Sequence, residues 1–161
     1  MQKHTQNIGE GVYRERLTPS LWILVSAAVV APMASLVFVP IDTTLALIAG
    51  LAVGVAVVAL MIAGSPVIEV RDGALRAGRA RIEVHHLADP RVDEGEDARL
   101  ARGARLARDS WHLIRGGIDA TVTVDVVDPD DPTPSWVMST RTPDRLAAAI
   151  RHAQVRSTPG R

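Results

Sequence analysis

The residues best equipped for chemistry are His85, His86 and His112, the aspartates Asp128, Asp130 and Asp131, Ser139, and the set Arg115, Trp136 and Arg141. Imidazoles can hold a transition metal, but adjacent residues of an extended strand point to opposite faces, so His85 and His86 are not expected to share an ion. The aspartates offer hard oxygen ligands for calcium. Yet the run Asp128-Pro129-Asp130-Asp131-Pro132-Thr133-Pro134 lacks the central glycine and terminal glutamate of a helix-loop-helix calcium loop, and Asp with Pro suits a rigid turn. Ser139, His112 and an aspartate have the types of a hydrolase triad, but no glycine-flanked nucleophile turn surrounds the serine. No metal, cofactor or catalytic residue is assigned. Binding is what remains: Arg115, Trp136, Ser139 and Arg141 would hold a lipid or phosphate group if they lined a concave, anion-sized pocket, whereas a polar cleft holding His112 beside Ser139 would support catalysis.

Composition narrows the classes further. Lysine plus arginine and aspartate plus glutamate balance at 18 each over 161 residues, so no global field draws in nucleic acid, and no nucleic-acid partner is expected. Cysteine is absent, which excludes disulfides, thiolate zinc sites and cysteine nucleophiles.

The elements that position these residues hang from two uncharged apolar runs, Leu21–Val39 and Leu45–Ile62, separated by Pro40-Ile41-Asp42-Thr43-Thr44. At roughly 1.5 Å per residue each spans most of a hydrocarbon core of about 30 Å. A signal peptide has a shorter apolar region and no second span, and a soluble helix shows a polar stripe, so a transmembrane hairpin over residues 13–64 is predicted. Thr18 with Pro19 is the expected start of the first helix, Asp42 or Thr43 the cap of the second, and Gly64 its left-handed end. Tyr13 and Trp22 are expected at headgroup level, and Pro32 should kink the first span. Ala27, Ala31 and Ser35, with Ala46, Gly50 and Gly54, form small-residue stripes that favour packing within the hairpin, with a homodimer through Gly50 and Gly54 as the alternative. Arginines flank both outer ends while the connecting loop carries only Asp42, so the positive-inside rule predicts a multi-pass plasma-membrane protein with both termini cytoplasmic.

Residues 1–12 and 156–161 read as polar tails, and 67–155 as a cytoplasmic α+β domain. Period-two alternation predicts strands at Val67–Arg71, Ala74–Ala77 and Arg81–His85, joined first by the Asp72-Gly73 turn. A second hairpin is expected from Trp111–Arg115 across Gly116-Gly117 to Thr121–Val127, and a last strand at Trp136–Arg141, with Trp136 in the core. Arg91–Arg108 is either a short basic helix facing anionic headgroups or a solvated segment. Pro143 to about Gln154 predicts an amphipathic helix covering the sheet with Leu146, Ala147 and Ile150. The order, an antiparallel curled sheet or barrel followed by a C-terminal helix, is similar to the pleckstrin-homology-like fold.

Several motifs stand out: Tyr13-Arg14-Glu15-Arg16-Leu17 with Pro19-Ser20, Val70-Arg71-Asp72-Gly73-Ala74-Leu75-Arg76-Ala77-Gly78, and Asp128-Pro129-Asp130-Asp131-Pro132-Thr133-Pro134-Ser135-Trp136 before Ser139-Thr140-Arg141-Thr142-Pro143. With the two spans they resemble a family of small actinobacterial membrane proteins of unknown function. That resemblance implies membrane location and no particular chemistry. Two classes of function follow: a membrane-tethered binding or scaffold module, contacting anionic lipid headgroups or another membrane protein, and an enzyme or enzyme subunit acting at the inner leaflet.

Overall fold

The computed structural model describes residues 13–157. The expected tail at 1–12, and residues 158–161 of the C-terminal one, lie outside them. Two compact units divide the chain, one made of Leu17–Pro66 with Arg115–Gly117 and the other of the remaining described residues.

In the first unit the apolar runs are helical: α1 (Leu21–Ala28), α2 (Val30–Phe38) and α3 (Thr43–Ala63). Leu21–Phe38 and Thr43–Ala63 are each long and apolar enough to cross a membrane. Ser20, not Thr18, caps α1, its Oγ accepting from the Ile23 N–H at 3.4 Å. A cap must reach an amide about three residues on, and a helix opening at Leu21 gives that role to Ser20. Asp42 caps α3 as expected, accepting from the Leu45 N–H at 2.8 Å. Gly64 ends α3 at φ −76°, so the expected left-handed cap does not form, and its N–H bonds back to the Leu60 carbonyl at 2.9 Å. Pro32 lacks an N–H and its ring crowds the Ala28 carbonyl; the first run accordingly breaks at Val29.

Small residues set the helix contact. A Cβ on Gly50 would lie 1.8 Å from Ser35 Oγ and 2.6 Å from the Ala31 carbonyl, and one on Gly54 would lie 2.7 Å from Ala31 Cβ. Backbones of α2 and α3 therefore meet along this stripe, and the face considered for a second copy is the one used inside the hairpin. Ser26 and Ser35 donate to the Trp22 and Ala31 carbonyls at 3.0 and 3.1 Å, which satisfies their hydroxyls within their own helices. No residue of α1 or α2 is buried.

The second unit holds two four-stranded sheets. β1 (Tyr13–Arg16), β2 (Val67–Arg71), β3 (Ala74–Ala77) and β4 (Ala80–Glu83) pair antiparallel in that order. Asp72 and Gly73 take φ values of 51° and 71°, the left-handed pair that an Asp-Gly hairpin turn requires. β1 corrects the expected lead into the lipid: Tyr13 pairs with Val70 and Arg16 with Val67, so Tyr13 belongs to a sheet. With one apolar residue in Tyr-Arg-Glu-Arg, the strand carried no period-two signal. β4 stops at Glu83, and Val84–His86 makes a single 3-10 turn. That turn overrides the opposite-face argument, bringing the His85 and His86 rings to 4.0 Å edge to face. Each is held by its own carboxylate, Glu83 at 3.3 Å and Asp128 at 2.7 Å.

The second sheet is built from β5 (Arg91–Asp93), β6 (Trp111–Leu113), β7 (Thr121–Asp125) and β8 (Ser135–Ser139), in the order β5-β7-β8-β6. The hairpin expected across Gly116-Gly117 does not form. β6 instead pairs in parallel with β8, Trp111 opposite Trp136 with ring centroids 4.2 Å apart, and β7 lies between β5 and β8. Alternation reports that a strand exists and which face is apolar, but not which strand it pairs with. The Asp128–Pro134 run is a turn as expected: Asp128 and Asp131 carboxylates accept from the Asp130 and Thr133 N–H groups at 3.0 and 2.8 Å, and the latter bond holds the half-buried Asp131 carboxyl below its usual range.

Of the segment Arg91–Arg108, only α4 (Gly95–Ala101) is helical, burying Ala98 and Ala101. Arg102 donates to the Ala98 and Ile118 carbonyls, and Arg105 pairs with Asp97 at 2.9 Å, so these cations serve the fold. α5 (Pro143–Ser157) buries Leu146, Ala147, Ile150 and Ala153 and packs against β1, β2, β5 and β7. Arg151 grips Asp89 through two bonds of 2.6 and 3.1 Å, holding the Asp89 carboxyl below its usual range, and Gln154 donates to the Leu87 carbonyl at 2.7 Å.

Candidate functional site

Alternation along β1 sends Arg14 and Arg16 outward and turns Tyr13 and Glu15 inward. A carboxylate on an inner face is costly unless donors surround it, and Glu15 finds three. Tyr13 donates its hydroxyl to Oε2 at 2.6 Å, Thr140 donates to the same oxygen at 2.5 Å, and the Arg141 N–H reaches Oε1 at 2.9 Å. Thr142 Oγ1 lies 2.8 Å from the Tyr13 hydroxyl, and the Thr142 N–H donates to Thr140 Oγ1 at 3.1 Å. Burial first, and then the hydrogen bond to Glu15, raise the Tyr13 phenol from 10.0 to about 12. This polar latch joins the Tyr13–Arg16 strand to the segment Ser-Thr-Arg-Thr-Pro at 139–143.

Tyr13 also borders a groove of about 580 Å³ along α5, with Arg145, Ala148, Ala149, His152, Val155 and Arg156. Spacings of three and four residues put these on one helix face, away from the buried Leu146–Ile150 side. Its floor is small and apolar and its edges are cationic. That pattern suits a partner with an apolar ridge and acidic flanks.

The four residues expected to bind are dispersed. Trp136 is 5% exposed and stacked on Trp111 in the core. Ser139 is fully buried. Arg141 is exposed just after β8, anchored through its backbone to Glu15. Arg115 belongs to the other unit, where it lines a cavity of about 250 Å³ with Pro19, Ile23, Met61, Gly64 and Gly116. His112 is exposed on β6, opposite Val137 in register, with its Nδ1 3.3 Å from the Ser110 carbonyl. Sequence reasoning missed Glu15 and the groove face of α5. Ala148, Ala149, His152 and Val155 at helical spacing were the available signal for the groove; nothing local distinguished Glu15.

Fold and site together define two units in one chain, an α+β unit with a latched β1 strand and a unit of helices long and apolar enough to cross a membrane. Residues 12–150 match the family described as a protein of unknown function, DUF3093, and the chain belongs to that family. No curated protein and no solved structure matches it.

Proposed function

We propose that this chain is a two-span protein of the plasma membrane with both termini cytoplasmic, and that its α+β unit is a tethered binding or scaffold module on the cytoplasmic face. The observation that carries this reading is the outward surface of the hairpin: large apolar side chains such as Leu21, Leu36, Leu51 and Leu60 are at least two-thirds exposed on helices without a single charge. In water that surface would be strongly disfavoured, and lipid covers it. Orientation follows from the arginine flanks and the lone Asp42 in the loop. Two short-stranded sheets and a C-terminal helix packed against both support a pleckstrin-homology-like unit, from which the parallel β6–β8 pair departs. Its binding surface is the α5 groove, whose Arg145, His152 and Arg156 favour an acidic segment of another membrane protein.

Alkaline washing of native membranes tests the tether, since a spanning hairpin stays in the pellet and a peripheral protein is released. A photo-crosslinking side chain in place of Ala149 tests the groove. It should capture a membrane protein whose yield falls in Arg145→Glu, and equal yield in that variant would reject the groove.

A further inference from the structure

The outer face of the first sheet carries an arginine cluster with no role in the latch or the groove. Strand alternation places Arg14, Arg16, Arg71, Arg76 and Arg81 on that face, against Glu69 and Glu83. One row crosses all four strands as Arg14, Glu69, Arg76, Arg81. Arg76 and Arg81 face each other directly, and like charges in register repel. Neither has an ion-pair partner among the described residues. With Arg71, Glu69 and Asp72 they line a depression of about 240 Å³. Arg71 is partly neutralised by Asp72 at 3.2 Å, and Glu69, opposite Arg76 in register, offsets only part of the charge of the two facing guanidiniums.

A shared anion relieves that repulsion, and the guanidinium fork matches phosphate oxygens. Covalent connection supplies the nearest phosphates. Arg16 is joined to α1 by Leu17–Ser20 and α3 to Val67 by Gly64–Pro66, linkers that reach at most roughly 14 and 11 Å. Chain length alone therefore limits how far the linked ends of β1 and β2 can lie from the bilayer surface that the helices would enter. We infer that the outer sheet face docks on anionic phospholipid headgroups of that leaflet, with Arg76 and Arg81 sharing a phosphate. The inference rests on the two-span reading.

Full-length protein reconstituted in phosphatidylcholine vesicles, doped with spin-labelled phosphatidylglycerol or its choline analogue, tests it. The fraction of motionally restricted lipid should favour the glycerol lipid by roughly fivefold, and the preference should shrink in high salt. Arg76→Gln with Arg81→Gln should remove most of that preference, Glu69→Gln should raise it, and Arg99→Gln with Arg108→Gln should leave it unchanged. Equal preference in wild type and the Arg76/Arg81 variant, or no rise in Glu69→Gln, overturns the inference while the tether stands. Loss of a crosslinked protein partner in the Arg76/Arg81 variant, with lipid preference intact, would make the face a protein interface instead. Release of wild type by alkaline washing overturns both readings together.

Discussion

The Tyr13–Glu15 latch can be read directly because Tyr13 is the chain's single tyrosine, so phenolate absorbance reports that one group. Its pKa is raised to about 12 by burial and by donation to Glu15. A raised pKa means that the folded state favours the neutral phenol. The stabilisation is therefore fully present below pH 10, and is lost as pH climbs from 10 through about 12. A hundredfold difference in proton affinity between folded and unfolded chains would be equivalent to about 2.7 kcal/mol, but Tyr13 is only partly buried, and solvent screening reduces the contribution to roughly 1 kcal/mol. Glu15→Gln removes the carboxylate while keeping its shape. Burial persists, so the phenol should fall from about 12 without reaching 10.0. Bonds to a charged acceptor contribute about 1.5 to 3 kcal/mol each, are not additive, and are partly replaced by glutamine; a loss of about 1 to 3 kcal/mol is expected. Spectrophotometric titration of wild type and variant in detergent, with thermal melts of both, checks this. A wild-type phenol titrating near 10, or a Glu15→Gln phenol unmoved from wild type, would refute the latch.

Gly50→Ala should destabilise the hairpin more than Gly54→Ala, because its Cβ meets the Ala31 backbone carbonyl as well as Ser35, and overpacking costs about 1 to 3 kcal/mol; melts in detergent rank the two. Trp136→Ala should cost about 3 to 5 kcal/mol by emptying a buried aromatic site against Trp111, measured in the full chain, since a fragment from Val67 would lack β1. Arg141→Ala should leave stability nearly unchanged, because the anchoring bond to Glu15 is made by its backbone N–H; a large melting shift would contradict that.

What is legible in the sequence is whatever depends on local pattern. The apolar runs, the Asp42 cap, the Asp72-Gly73 turn and the buried face of α5 follow from composition, capping and period, all of which act over a few residues. Pairing does not. The parallel β6–β8 contact is decided by Trp111 on Trp136, residues whose sequence separation hides their adjacency. β1 is held by Glu15 reaching Thr140 and Arg141 across the chain, which no window of a few residues can show. Ser139 and Trp136 read as binding residues because they sit in a specific motif, and in the structure that motif builds the core and the latch.

Passage of the two apolar helices through the membrane as a hairpin, with the α+β unit inside, is tested most directly by single-cysteine mapping, which the natural absence of cysteine makes simple. Ile41→Cys, in the loop between the spans and 73% exposed, should react with a membrane-impermeant maleimide added to intact cells. Arg99→Cys, on the exposed side of α4, should react only after the cells are opened. Labelling of Arg99→Cys from outside intact cells, with Ile41→Cys protected, would contradict the orientation; labelling of both from one side would contradict the hairpin itself.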